Sequence, residues 1–195
     1  MSTMSQQLPP TVLAVESPEQ REAARTLIEE YLCWVADVAR SYYGLAFDIE
    51  AMLKSDVEDA SKLHPPGGRS YLVQRDGRYV GVGCLKRLAP DVGEIQRMYL
   101  QPDARGAGAG RLLVERLLQD ARLLGYARVR LESLKALTAA HALYRSMGFA
   151  DIAPYAENSM QAYQAPETLD AYRRSAVFME LDLKAGAEPR LSSGP

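Results

Sequence analysis

The segment that most restricts this chain runs Met98-Tyr99-Leu100-Gln101-Pro102-Asp103-Ala104-Arg105-Gly106-Ala107-Gly108-Ala109-Gly110-Arg111. A strand pattern enters a loop holding three glycines in five residues, then an amphipathic helix. Glycines let backbone N–H groups turn toward one point with no Cβ in the way. Those N–H groups belong to a helix N-terminus, where the peptide dipoles add partial positive charge. The product is a cradle for a pyrophosphate, with Arg105 and Arg111 flanking it for charge-assisted contacts. Two other phosphate loops fit poorly. A Walker loop needs Gly-Lys followed by Ser or Thr, which is absent. The dinucleotide fingerprint Gly-x-Gly-x-x-Gly meets Arg111 where its last glycine belongs.

The rest of the chain alternates strands and helices around that turn. Val12, Leu13 and Val15 mark a first strand over Thr11–Glu16. Ser17-Pro18-Glu19-Gln20 is a helix start: a capping Ser, a Pro at the first helical position, a Gln at capping-box spacing. Ala24, Leu27, Ile28, Tyr31, Leu32 and Val35 continue at helical spacing until Ser41–Phe47 breaks it. Asp48–Leu63 reads as a weaker second helix, and His64-Pro65-Pro66-Gly67-Gly68 as a loop. Ser70–Gln74 and Tyr79–Lys86 read as a hairpin turning at Asp76-Gly77. Gly93–Leu100 is the next strand, and Leu112, Leu113, Leu117, Ala121 and Leu124 form a helical stripe stopped at Gly125. Tyr126–Glu132 alternates, with Ala127, Val129 and Leu131 on one face and Arg128, Arg130 and Glu132 on the other. Thr138–Met147 is a short helix closed by Gly148, Phe149–Pro154 and Ala176–Leu183 are the last strands, and Pro166–Arg174 is a short helix between them. This order predicts an α/β fold with one layered, mixed sheet.

Three linked segments make the chain resemble the GNAT superfamily of acyl-CoA-dependent N-acetyltransferases. The first is Glu94–Leu100 with Pro102 and Arg105–Gly110; the second is the helix and strand through Glu132; the third is Ala140-His141-Ala142-Leu143-Tyr144-Arg145-Ser146-Met147-Gly148-Phe149. The resemblance implies a single domain with a central sheet of about six to seven strands and helices on both faces. That domain is expected over residues 11–183, between flexible tails at 1–10 and 184–195. Acetyl-CoA is the implied co-substrate, and an amine, of a small molecule or a peptide, is the implied acceptor. Met98, Tyr99 and Leu100 would line the pantetheine arm, with the backbone of Met98 and Leu100 pairing to it like an added strand. The Met98 N–H would receive the acetyl carbonyl as it gains negative charge. Arg105, Gly106, Ala107, Gly108, Ala109, Gly110 and Arg111 would hold the pyrophosphate. Tyr144 would be the general acid toward sulfur, and Glu94 matches the general base of some family members. One departure stands out: the family often has Asn seven residues before the tyrosine, and here Leu137 stands there.

The chemistry suits those roles. A primary amine near the Lys pKa of ~10.4 is mostly protonated at neutral pH and needs a base before it can attack. The departing thiolate, of thiol pKa ~8.5, benefits from a nearby phenol. No covalent intermediate is required, so neither Cys33 nor Cys84 has to be a nucleophile. An alternative function is a non-catalytic acyl-CoA sensor or partner-binding module on the same fold, which would need neither Glu94 nor Tyr144. A nicotinamide enzyme is disfavoured by the loop pattern.

Composition closes off other classes. Twenty-three basic against 25 acidic residues argues against a nucleic-acid binder held by bulk charge. Two cysteines and two histidines are too few for a disulfide framework or a thiolate zinc site, so no metal is expected. No run approaches the ~20 apolar residues of a membrane span, and the N-terminus lacks a secretory pattern, so the cytoplasm is the expected compartment.

Several residues carry two readings. Glu94 is a base or a solvated surface carboxylate, and strand alternation places it on one face with Gln96 and Met98. Tyr144 is a proton donor or a core aromatic. His141 reads as a helix-surface residue, His64 as an ordinary loop residue, and Cys33 and Cys84 as buried small hydrophobes. Arg111, Glu115, Arg116, Asp120 and Arg122 read as a solvated helix face. Two regions are candidates for the acceptor: Trp34–Phe47 with Tyr42 and Tyr43, and Tyr155–Ser175, whose acidic and aromatic residues suit a cationic amine or a contact between two copies in a homodimer.

Overall fold

The computed structural model describes residues 9–58, 63–156, 160, 163 and 166–184. The tails expected at 1–10 and 184–195 lie outside these, apart from Pro9, Pro10 and Lys184. The elements are β1 (Thr11–Ala14), α1 (Pro18–Tyr43), α2 (Ile49–Glu58), β2 (Arg69–Arg75), β3 (Arg78–Ala89), β4 (Val92–Leu100), α3 (Ala109–Leu123), β5 (Arg128–Leu134), α4 (Thr138–Ser146), β6 (Ala150–Ile152), α5 (Pro166–Ser175) and β7 (Ala176–Asp182). Among the described residues no helix is long and apolar enough to cross a membrane.

Local chemistry accounts for most boundaries. The Ser17 hydroxyl accepts from the Gln20 N–H at 3.1 Å and the Gln20 side chain accepts from the Ser17 N–H at 2.9 Å, closing the expected capping box. Helix α1 carries on past Ser41 to Tyr43. It stops at Gly44, which adopts φ 65° and donates its N–H to the Arg40 carbonyl at 3.0 Å. The β2–β3 turn places Asp76 at φ 50° and Gly77 at φ 75°, the two left-handed residues of a tight hairpin.

The seven strands form one sheet in the order β1-β2-β3-β4-β5-β7-β6. Every neighbouring pair is antiparallel except β4 with β5. Helix α3 covers one face, where Leu113, Leu117, Val129, Leu131 and Met179 pack with at most 1% exposure. Helices α1 and α2 cover the other, packing Leu27, Leu32 and Met52 with Leu72 of β2 and Val82 of β3. A third cluster joins the end of α1 to α5 and β7 through Ala39, Tyr172 and Phe178. Truncating Leu113 or Leu117 to Ala would cost ~2–5 kcal/mol, because close-packed interiors relax little around a cavity.

Two irregularities open the sheet. Strands β4 and β5 pair only from Val92 to Glu94 against Arg128 to Arg130, and beyond that point they part. In the same stretch the β3–β4 register slips between Val82 and Cys84, opposite Arg97, which sits at φ 53°. This is a β-bulge, and it changes which way the side chains of β4 face.

Candidate active site

The bulge sorts β4 between two hollows. Ile95, Met98 and Leu100 pack with the cluster under α3, whereas Arg97 bonds to Asp56 on α2 and Tyr99 packs under α1. Two consecutive residues, Gln96 and Arg97, therefore share the α1/α2 side. Glu94 does share a face with Gln96 as expected, but Met98 lies on the opposite one. The inserted residue at Arg97 cancels the alternation that predicted otherwise.

The first hollow is a groove where β4 leaves β5. The Gln101 N–H donates to the Val80 carbonyl at 2.9 Å, so Tyr99 and Gln101 address β3. In a strand the backbone of alternate residues points the opposite way, so Met98 and Leu100 present N–H and C=O groups to the opening. Leu100 O accepts from Arg105 Nε at 2.9 Å. The floor of the groove includes Trp34, Met98, Tyr99, Leu100, Leu143 and Tyr144. Its mouth is the glycine turn. Gly106 and Gly108 stand at φ 82° and 80° with open space where a Cβ would go, and Gly108 caps α3 without any side chain. The Leu112 N–H bonds to the Gly108 carbonyl, so the N–H groups ahead of it have no partner within α3. Ala109 buries its side chain in the core and Ala107 is exposed, leaving only their backbones for a ligand. Arg111 lies at the mouth and donates to Ser146 on α4 at 2.7 Å. The Arg105 guanidinium stacks 5.1 Å from the Trp34 ring centroid. A pyrophosphate fits this mouth, and an extended thiol arm fits the open edge of β4.

The second hollow is a narrow space of about 70 Å³ between the parted strands and α1. Glu94, Gln96, Arg97, Glu132, Phe47 and Tyr172 are among its walls. Met98, Leu137, Ala140 and Tyr144 line both hollows. Tyr144 is 4% exposed, its ring 5.7 Å from that of Phe149. It is thus a core aromatic and also a wall of the junction. Burial raises its pKa well above the ordinary phenol value, so it holds its proton.

Glu94 is no surface carboxylate, since it is 1% exposed. Its Oε1 accepts from the Tyr155 hydroxyl at 2.8 Å and its Oε2 from Gln96 Nε2 at 2.5 Å; Lys86 Nζ lies 3.8 Å away. Sequence reasoning placed Glu132 on the polar face of its strand and gave it no role, yet it lines the same hollow from β5. The available signal was its parity with Arg128 and Arg130. Tyr172, 1% exposed, has its pKa raised by burial and then by the Glu132 carboxylate.

Other expectations divide. From the first acceptor candidate, Phe47 lines the second hollow and Trp34 the groove, while Tyr42 is 73% exposed. From the second, Tyr155 bonds to Glu94 and Tyr172 and Met160 line the hollow, but Glu157 and Asn158 lie outside the described residues. His141 is 3% exposed and not on the surface, because α4 turns it inward. Cys84 is buried, and burial pushes its thiol up to about 12, whereas Cys33 is exposed. Asp120 leaves the solvated face of α3 to bond with the Tyr71 hydroxyl in the interior.

A family model described as the acetyltransferase (GNAT) family matches residues 21–149. An IAA acetyltransferase of Azospirillum brasilense is 33% identical over 149 residues, 76% of this chain and 90% of that protein. An uncharacterized N-acetyltransferase of Schizosaccharomyces pombe is 30% identical over 151 residues, 76% of this chain and 87% of its own length. Among solved structures, the PaiA N-acetyltransferase of Thermoplasma acidophilum in complex with coenzyme A superposes with a TM-score of 0.61 at 18% identity, covering 90% of this chain and 99% of that one.

Proposed function

The chain belongs to the GNAT acetyltransferase family, with acetyl-CoA as co-substrate, and from that premise we propose that it acetylates a primary amine by direct attack, using Tyr144 as acid and Glu94 as base. The observation that carries this reading is the junction at Met98 and Tyr144, where the groove and the second hollow meet. We read residues 11–183 as the one domain that builds it.

Acetyl-CoA supplies an activated acyl carbon on a thiol leaving group. The peptide N–H groups of residues 106–111 hold its diphosphate, with Arg111 at their flank; Arg105 adds charge once it leaves the Trp34 ring. Met98 and Leu100 hold the thiol arm by their outward backbone, and the Met98 N–H steadies the carbonyl oxygen as its charge grows. Glu94 accepts, through a water, the proton that the amine must lose, and Glu132 stands beside it as a second carboxylate for the ammonium. The new N–C bond forms as the C–S bond breaks, and the Tyr144 hydroxyl delivers a proton to sulfur. The raised pKa of Tyr144 supports this assignment, because the phenol reaches the reaction still protonated.

Calorimetric titration with acetyl-CoA, with NAD as control, followed by thiol release over pooled amines tests the reading. Saturable acetyl-CoA binding with amine-dependent release is the expected result. Binding without release from any amine would move the chain to the sensor class, and no binding would remove the cradle itself.

A further inference from the structure

Arg105 is turned back along the groove and away from the glycine turn it precedes. Its Nε donates to the Leu100 carbonyl at 2.9 Å, and its guanidinium stands 5.1 Å from the Trp34 ring centroid and 6.0 Å from that of Tyr99. Leu100 and Tyr99 belong to β4 and Trp34 to α1, and all three line the groove with Arg105. The ring beneath the guanidinium is fixed in place, since the Trp34 centroid lies 6.0 Å from that of Tyr99 and 6.4 Å from that of Tyr31. The side chain therefore crosses the edge of β4 that the thiol arm has to use. The Leu100 carbonyl is one of the outward acceptors of that edge, and an arriving amide N–H has to take the place of the guanidinium there.

The hold is light enough to be released. Among the described residues Arg105 makes no ion pair: the nearby carboxylates are taken, Asp103 by Arg78 at 3.3 Å and Glu30 by the Gln101 side chain at 3.0 Å. One hydrogen bond and one cation–π contact at an exposed site correspond together to about tenfold in an equilibrium constant. A diphosphate in the glycine turn is the stronger partner, because it offers several anionic oxygens to a planar fork of donors. Arg105 stands directly before Gly106, so one flexible side chain serves both places. On these grounds, and resting on the transfer reading above, we infer that Arg105 determines donor specificity: it covers the arm-binding edge of β4 until a diphosphate draws it off. The groove then favours a thioester joined to a diphosphate over a bare acetyl-thiol arm by about tenfold more than the contacts of the diphosphate alone supply.

The test compares the full chain with its Arg105→Ala variant, using acetyl-CoA and S-acetylpantetheine, which has the same arm and no diphosphate. If Arg105 were a phosphate ligand and nothing more, the substitution would leave S-acetylpantetheine affinity as it was. A cover predicts shifts of opposite sign by calorimetry: S-acetylpantetheine should bind the variant about tenfold more tightly than the wild type, and acetyl-CoA more weakly. Trp34 is the single tryptophan of the chain, so its emission reports the cover directly. Inorganic pyrophosphate should change that emission in the wild type and leave it unchanged in Arg105→Ala. S-acetylpantetheine that binds the variant no more tightly than the wild type, or Trp34 emission that pyrophosphate leaves unmoved, would overturn this inference and leave transfer from acetyl-CoA standing. A wild type that binds no acetyl-CoA would overturn both.

Discussion

Removing the Tyr144 hydroxyl and nothing else isolates proton donation. Tyr144→Phe keeps the ring against Phe149 at 5.7 Å and within the cluster under α3. The leaving thiol has a pKa of ~8.5, low enough to depart with only modest help, so the lower end of the ~10²–10⁴-fold range for acid catalysis applies. We expect kcat to fall about 100-fold, or ~2.7 kcal/mol at ~1.36 kcal/mol per factor of ten. Acetyl-CoA affinity should change by less than about fivefold, the worth of one neutral hydrogen bond. The pH dependence adds a sharper criterion. An ordinary phenol would be half ionised near pH 10, and the wild-type advantage would halve there. Burial holds Tyr144 above that value, so the ratio of wild-type to variant kcat should stay flat from about pH 7 to pH 10. Thiol release measured on one amine across that range checks both points. An unchanged kcat would refute the acid role. A ratio that declines toward pH 10 would refute the argument from burial.

Three further outcomes follow from single positions. Gly108→Ala forces φ 80° on a residue with a Cβ and meets nothing within 4 Å, so its cost is conformational alone. About 1–2 kcal/mol is expected, read as a Tm lower by roughly 2–8 °C and as weaker acetyl-CoA binding in calorimetry. Gly83→Ala would bring a Cβ to 2.9 Å from Leu113 and 3.2 Å from the Met98 sulfur. Overpacking of ~1–3 kcal/mol in urea unfolding should accompany a raised KM for acetyl-CoA, because Met98 must shift. His141 has its pKa lowered, first by burial and then by Arg145, with Asp151 opposing. The unfolded chain therefore takes up a proton near pH 6.5 that the folded chain resists. Stability should fall as pH drops below that point, by at most ~1.4 kcal/mol per unit from this group. His141→Asn should flatten that slope in urea titrations at pH 7.5 and 5.5, and an identical slope would exclude His141 as its source.

The features legible in the sequence were those set by neighbours along the chain. The Ser17–Gln20 box, the Asp76-Gly77 turn and the strand–glycine–helix passage at Met98–Arg111 each depend on fewer than about fifteen consecutive residues, and each is found as read. What depended on partners distant in the chain was not legible. The burial of Glu94 under Tyr155, of Asp120 against Tyr71 and of His141 inside α4 follows from packing, and the place of Glu132 follows from the parting of β4 and β5. Helix α1 ends at Tyr43, within the expected break, because its end answers to the Gly44 cap more than to hydrophobic spacing.

The bulge at Arg97 shows why one such miss matters to function. Its trace in the sequence was the polar pair Gln96-Arg97 interrupting Ile95 and Met98-Tyr99-Leu100. In an unbroken strand Arg97 would share the face of Ile95 and enter the apolar cluster under α3. An unpaired cation buried there would cost several kcal/mol. Met98 would then face α1 beside Glu94 instead of packing with the cluster under α3. One extra residue in β4 corrects both. Arg97 reaches Asp56, and Met98 turns its side chain to the α3 core. The strain of φ 53° at a non-glycine residue is of order 1–3 kcal/mol, and the packing of Arg97 against Asp56 holds it in place. On the proposed reading, the bulge divides β4 into an edge for the thiol arm and a face for the amine, the separation that direct transfer between two substrates requires.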